Sequence, residues 1–314
     1  MKKFVFFICL LISAAGLDAQ NPLLDSLLRD FKLAKHDTTR ADVYVQFSEI
    51  LYLSKPDTVM PLCLMAAELC DKNIPKANAA EKKKYLQLKL SAYNNIGYIY
   101  QNQGDVKLSL EYYHKGLKIQ EEIGDLKGLA QSLNNIGFIF QSQNDIAKTL
   151  DYYKRSLTIR EKIDDKKGIA ESLNNLGLVY RKNGDPNCKS EIKDACMRAG
   201  VQKALEYYLR SLRIKEEVKD ENGIGISLNN IGGVYNYLGD LDKALEYFNR
   251  SFILREKNND KQGQSISLNN IGGIYLKKKD YKAAEENCLK SLQIAQELGF
   301  PDFIRRTAET LKNI

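Results

Sequence analysis

Along most of this chain apolar residues recur three and four positions apart. Around residue 136 they stand at Leu133, Ile136, Gly137 and Phe140, the i, i+3, i+4, i+7 spacing that places side chains on one face of an α-helix. Leu150, Tyr153 and Leu157 carry the same spacing a few residues on. Between the two stretches lies Asn144-Asp145, with equivalent breaks at Gly104-Asp105, Gly184-Asp185, Gly239-Asp240 and Lys279-Asp280. Gly or Asn can close a helix in the left-handed conformation, and Asp can accept from the free backbone N–H groups that open the next one. A second series of breaks, Gly124-Asp125, Asp164-Asp165, Lys219-Asp220 and Asn259-Asp260, ends the second helix. The pattern predicts a succession of short helical hairpins.

The hairpins are copies of one another. Asn94, Asn134 and Asn174 open the phrase Asn-Asn-Ile/Leu-Gly at intervals of 40 residues, and Asn229 and Asn269 are again 40 apart. The interval from Asn174 to Asn229 is 55 residues, 40 plus an insertion of 15. Five units at a fixed period mean a stacked array, because one hairpin cannot bury both its faces alone. Gly97, Gly137, Gly177, Gly232 and Gly272 fall inside the first helices, where glycine costs about 1 kcal/mol against alanine. Their recurrence predicts close helix packing at that point.

The small Gly97-type position, the aromatic three residues later (Tyr100, Phe140, Tyr180, Tyr235, Tyr275), Ala204, Ala244 or Ala284, and Tyr208 or Phe248 resemble the tetratricopeptide repeat pattern. Ser109, Thr149 and Cys288 depart from it. The 40-residue unit is most similar to the long-repeat type of kinesin light chains, Pins-type adaptors and bacterial signalling proteins. The resemblance implies an all-α fold, an α-α superhelix, that binds a protein or peptide on a concave surface lined by the first helices.

Flanking segments complete the organisation. Met1-Lys2-Lys3 and the apolar run from Phe4 to Ala15 read as a secretory signal over residues 1–19, cut after Ala19, which places the mature chain in the periplasm or outside the cell. Residues 20–90 are expected to form N-terminal helices including a degenerate hairpin, residues 91–300 five hairpins, and residues 301–314 a capping or truncated helix. The insertion, about 186–201, extends a hairpin turn as an irregular loop; it is either a recognition loop or passive decoration. Cys188 and Cys196 lie within it and can bridge in an oxidising compartment, whereas Cys63 and Cys70, seven residues apart on one helix, cannot. No later stretch reaches transmembrane length, so no membrane insertion of the mature chain is expected.

Composition removes other function classes. The formal charge is +7, but Lys and Arg are interspersed with Glu and Asp in every repeat, which argues against a nucleic-acid partner. With only two histidines, His36 and His114, and no nucleophile, phosphate-loop or metal-ligand motif, the reading is a non-enzyme without cofactor or metal. The candidate site is therefore the shared first-helix surface. Asparagine offers both donor and acceptor, so Asn95, Asn135, Asn175, Asn230 and Asn270, and next to them Asn94, Asn134, Asn174, Asn229 and Asn269, can hydrogen-bond an extended peptide backbone. Equally, an Asn of each pair can serve a neighbouring repeat. The residue after the packing glycine is Tyr98, Phe138 and Leu178 in three repeats but Gly233 and Gly273 in two. These three are either groove anchors or core. Chaperone-tail binders of the family carry Lys at the Asn94-type position, and all five positions here are Asn. Self-association into an assembly platform, or a shortened relative of a sensor kinase or transcriptional regulator, are the rival readings.

Overall fold

The computed structural model describes residues 22–51 and 56–314, and its regular elements are all helical. Residues 1–19, for which a secretory signal is expected, lie outside the described residues. α1 (Pro22–Leu33), α2 (Asp37–Leu51) and α3 (Pro56–Asn73) precede a short 3₁₀ turn, Ile74–Lys76. The hairpins follow: α4 (Ala79–Asn102) with α5 (Val106–Ile123), α6 (Leu126–Ser142), α7 (Ile146–Lys162), then α8 (Lys166–Asn183) with α9 (Lys193–Glu217). α10 (Glu221–Leu238) pairs with α11 (Leu241–Lys257), α12 (Lys261–Lys277) with α13 (Tyr281–Leu298), and α14 (Pro301–Lys312) comes last. The expected border at 90/91 falls inside α4.

The chain divides into two compact units, Met1–Ile139 and Phe140–Ile314. In the first, Phe47, Cys63, Cys70, Leu88, Ala92 and Ile96 share one buried cluster. In the second, Tyr153, Leu173, Leu176, Tyr208 and Ile231 share another, each fully or almost fully buried. Burying one such aliphatic side chain contributes about 1.5–3 kcal/mol, so stacking repeats accumulates stability from neighbour to neighbour.

Local chemistry sets the ends of the helices. Asp105, Asp145, Asp165, Asp220, Asp240, Asp260 and Asp280 each accept from a backbone N–H three residues ahead, at the N-terminus of the helix they open. Before several of them stands a residue in the left-handed region, glycine at Gly104 and Gly239 but also Asn144, Asp164, Lys219, Asn259 and Lys279. Gly184 is different: φ 77° with ψ −167° is open essentially to glycine alone, and it is where the chain leaves α8 for the insertion.

Only part of the insertion is irregular. Residues from Lys193 onward join α9, which reaches 25 residues, because Gly200 lets α9 lie directly against the backbone of Gly184 and Asp185. Cys188 and Cys196 form a disulfide with Cα atoms 5.3 Å apart. The Asp185 N–H donates to the Cys196 carbonyl at 2.9 Å, and Lys203 pairs with the Asp185 carboxylate at 2.6 Å. The expected loop is therefore a short, tethered turn followed by helix.

Two buried polar series run through the second unit. Ser211 donates to the Ala170 carbonyl at 2.8 Å and Ser251 to the Gly225 carbonyl at 2.9 Å, and Ser291 bonds Ser265 and Thr307 in α14. Arg160, Lys215 and Arg255 are buried at equivalent points near the ends of α7, α9 and α11. Gly168, Gly223 and Gly263 make room for those cations, since a Cβ at any of them would meet the cationic side chain. Lys215 donates to Ser227 at 3.1 Å, and burial lowers its pKa. α14 thus packs as the first helix of one more hairpin.

Candidate functional site

Within each hairpin the first helix presents its Asn pair between the packing glycine and the solvent-facing turn. Gly97 lets the Tyr113 ring approach to 3.2 Å of where a Cβ would stand; at Gly177 and Gly232 the Tyr208 and Phe248 rings come to 2.7 Å. Beyond the glycine, Tyr100 stacks on Tyr112, Phe140 on Tyr152, Tyr180 on Tyr207 and Tyr235 on Tyr247, with interplanar angles of 23°, 20°, 18° and 16°. Each stacked pair locks one hairpin, and the asparagines are held at a fixed register by it.

The Asn pairs form a ladder between repeats. In the second unit Asn230 Nδ2 donates to Asn174 Oδ1 and Asn270 Nδ2 to Asn229 Oδ1, both at 2.8 Å. The second Asn of one repeat serves the first Asn of the repeat before it. In the first unit Asn95 Nδ2 donates at 2.9 Å to Ser48 Oγ in α2, so the degenerate hairpin supplies a serine where later repeats have asparagine. Asn135 does something else: it is exposed and accepts from Gln131 of its own helix at 3.2 Å. Asn134 and Asn175 are half-buried, each engaged in an interaction of its own. Asn94 Oδ1 and Asn269 Oδ1 are buried acceptors without a hydrogen bond.

The residues after the packing glycine lie at the surface. Phe138 is 56% and Tyr98 37% exposed, and Leu178 is partly covered. At Gly273 an added Cβ would meet nothing within 4 Å. In the first unit Tyr98 borders a cleft of about 560 Å³, lined also by Glu49, Asn94, Asn95, Gln131 and Asn135 among others. Burial, with Asp42 nearby, raises the pKa of the Glu49 carboxyl. The cleft therefore joins an aromatic ring, several amides with donor and acceptor capacity, and a carboxyl group on one wall.

The sequence pattern marked Asn94, Asn95, Tyr98 and Asn135, which this cleft brings together. It did not mark Glu49 or Gln131. Ser48 and Glu49 stand in a hairpin whose repeat signal is eroded, and only the 47-residue offset from Ser48 to Asn95 links them to the ladder. Among the described residues no cluster of three or more His, Cys, Asp or Glu side chains is placed to hold a metal ion, and no helix is long and apolar enough to cross a membrane.

Stacked helical hairpins with a small residue at each crossing define an α-α superhelix. One family model of the tetratricopeptide repeat matches residues 88–162, 128–187 and 191–257, and a second matches residues 266–298. The chain belongs to the tetratricopeptide repeat family, whose repeats mediate binding to proteins and peptides. No curated protein matches its sequence. Among solved structures it is similar to aspartyl phosphate phosphatase F from Bacillus subtilis, with 13% identity over 95% of this chain and 70% of that one and a TM-score of 0.65. A Rap protein complexed with Competence and Sporulation Factor is 16% identical over 94% of this chain and 72% of that one, TM-score 0.56. A Signal Transduction ATPase with Numerous Domains protein with a tetratricopeptide repeat sensor, from Pyrococcus horikoshii, is 17% identical, TM-score 0.53; the match spans 91% of this chain but 44% of that one. At these identities the likeness is one of fold.

Proposed function

We propose that this chain is an exported interaction scaffold that holds an extended peptide segment of a partner protein on its first-helix face, with the cleft at Asn94, Asn95, Tyr98 and Asn135 as a principal seat. The observation that carries the reading is that cleft. Its Asn94 Oδ1 is buried without a hydrogen bond, and its Asn135 and Tyr98 are turned outward. Asn94 Oδ1 is packed against Gly116 of α5, so the groups this cleft offers to a ligand are the outward side chains of Asn135 and Tyr98. Asn135 is placed to offer its amide donors to a peptide carbonyl, and Tyr98 to supply an aromatic wall. A Rap protein taking Competence and Sporulation Factor is a case of a chain with this fold holding a factor, and it supports a sensory role here. Export rests on the basic and apolar start of the sequence.

A random peptide library displayed on phage, panned against the mature chain and against Tyr98→Ala/Asn135→Ala, tests the seat. Peptides enriched by the wild type should bind the variant at least about tenfold more weakly, with helicity and melting unchanged. Equal retention by both forms removes the cleft from consideration. N-terminal sequencing of the native protein should begin at Gln20; a cytosolic chain that keeps Met1 would end the export reading.

A further inference from the structure

Within the first unit a second cavity opens between α1, α2 and α3, away from the cleft. It measures about 300 Å³, at the small end of the range for small-molecule sites, and suits one compact molecule better than a peptide segment. Its inner wall is apolar. Phe31 and Tyr44, 7% and 6% exposed, meet with ring centroids 5.4 Å apart, and the half-buried Met65 and Leu69 pack against the same cluster. Position on α2 separates this cavity from the cleft: Arg40 lines the one and Glu49 the other, and nine residues make about two and a half helical turns, so the two stand on opposite sides of the helix.

The rim is polar and held in place. Arg40 Nη1 donates to Asp37 Oδ1 at 2.9 Å and Nη2 to the Ala34 carbonyl at 3.2 Å, while Asn73 Nδ2 donates to Asp37 Oδ2 at 3.1 Å and to the Leu69 carbonyl at 2.8 Å. This network ties the end of α1 to the start of α2 and the end of α3. It leaves the guanidinium with its charge balanced by Asp37 and with N–H groups to spare, since a guanidinium carries five. On α3 Glu68 and Lys72 border the cavity as exposed residues, one helical turn apart. Glu four residues before Lys is the favourable order for an ion pair on a helix, and Glu111–Lys115 and Glu286–Lys290 form it at 2.7 Å and 2.8 Å. Glu68 and Lys72 have the same spacing, yet among the described residues neither makes an ion pair. The mouth therefore offers one open carboxylate and one open ammonium group above an apolar wall.

We propose that this cavity binds a free α-amino acid with an apolar side chain, its ammonium group on Glu68, its carboxylate on Lys72 and the spare N–H groups of Arg40, and its side chain against the inner wall. Charge complementarity selects the class. A mouth that carries both signs and no net charge matches a zwitterion, whereas a plain acid leaves Glu68 without a partner and a plain amine leaves Lys72 so. A polar side chain would lose its water against Phe31 and Leu69 without gaining a hydrogen bond. The Met65 thioether and the Phe31 ring suit an aromatic side chain as well as an aliphatic one. The inference goes beyond the scaffold reading and does not rest on it, since the cavity, the ligand and the face of α2 are all different.

The test follows the methyl resonance of Met65, assigned by its loss in Met65→Leu, with Met197 of the second unit as the internal reference. The mature chain is titrated with phenylalanine, leucine, serine, 3-phenylpropionate and 2-phenylethylamine. A saturable shift of Met65 but not Met197 is expected with phenylalanine or leucine, and binding at least about tenfold weaker with each of the other three. Glu68→Gln and Lys72→Gln, both at exposed positions, should each weaken phenylalanine at least about fivefold and leave the melting temperature unchanged. No saturable shift with either apolar amino acid, 3-phenylpropionate or 2-phenylethylamine binding as well as phenylalanine, or both variants binding phenylalanine like the wild type overturns the proposal. Tyr98→Ala/Asn135→Ala should keep the Met65 response, so a failure of the cleft and a failure of this cavity are read separately.

Discussion

The unit ending at Ile139 and the unit beginning at Phe140 use the same Asn-Asn phrase differently. In the second, Asn230 and Asn270 donate to Asn174 and Asn229, closing a ladder between repeats. In the first, Asn95 finds Ser48, Asn135 turns to its own helix, and Asn94 Oδ1 has no hydrogen bond although another Asn pair follows it; in the second only Asn269 Oδ1, in the last Asn pair, is left so. A cleft remains where the ladder is incomplete. The packing differs in parallel. Gly97 is approached by its aromatic less closely than Gly177 or Gly232. An identical motif thus acts as structure where its neighbour supplies a matching partner and as an open surface where it does not, because a hydrogen bond is a property of two groups and never of one.

Alkali should break the symmetry of the two units most strongly. Burial pushes the thiols of Cys63 and Cys70 in the first unit up to about 11 and about 12, and that of Cys288 in the second up to about 11, from an ordinary value of 9.0. Between these values the folded chain holds protons that the unfolded chain has released. The stability they contribute is present below pH 9 and is lost as pH rises toward 11, on the order of 1.4 kcal/mol for each unit of raised pKa. The second unit has a partial offset: Lys215 has its pKa lowered by burial, so the penalty for holding it charged is relieved as pH approaches 10.5. Hydrogen exchange across pH 9 to 11 should therefore find the first unit opening first, and simultaneous opening of both would contradict this account.

Packing at the crossings should sharpen the comparison by a smaller amount. Gly232→Ala places a methyl 2.7 Å from the Phe248 ring and is expected to cost about 1–3 kcal/mol through overpacking. Gly97→Ala meets the Tyr113 ring at 3.2 Å, and the roughly 1 kcal/mol gain in helix propensity should bring its net effect near zero. Urea midpoints of the two variants measure the difference, and equal losses would mean the crossings are equally tight.

The smallest effect concerns the asparagines. Asn230→Ala removes the donor to Asn174 and should cost about 1 kcal/mol, while Asn135→Ala should change stability by a few tenths at most. A double-mutant cycle between Asn174 and Asn230 isolates the ladder bond, and a coupling indistinguishable from zero would remove it as a stabilising element.

Much of this was present in the one-dimensional pattern. The 40-residue period, the aspartates that cap the helices, the residues that take the left-handed turn and the glycines at the crossings are local or repeated features, and repetition makes local features readable. Tyr98 and Asn135 were singled out in the same way. Glu49 was not, because its hairpin has drifted from the repeat; nor was the helical half of the insertion, where Gly200 matters only for what lies against it.

By itself the sequence determined the unit and the number of times it recurs, since helix period, capping and small residues act within a few positions along the chain. Which asparagines are bound to each other and which ring packs on which glycine were decided only by the tertiary structure. Those properties depend on distances between residues some 16 to 56 positions apart, and a repeated phrase looks the same in sequence whether or not the repeat beside it completes the bond.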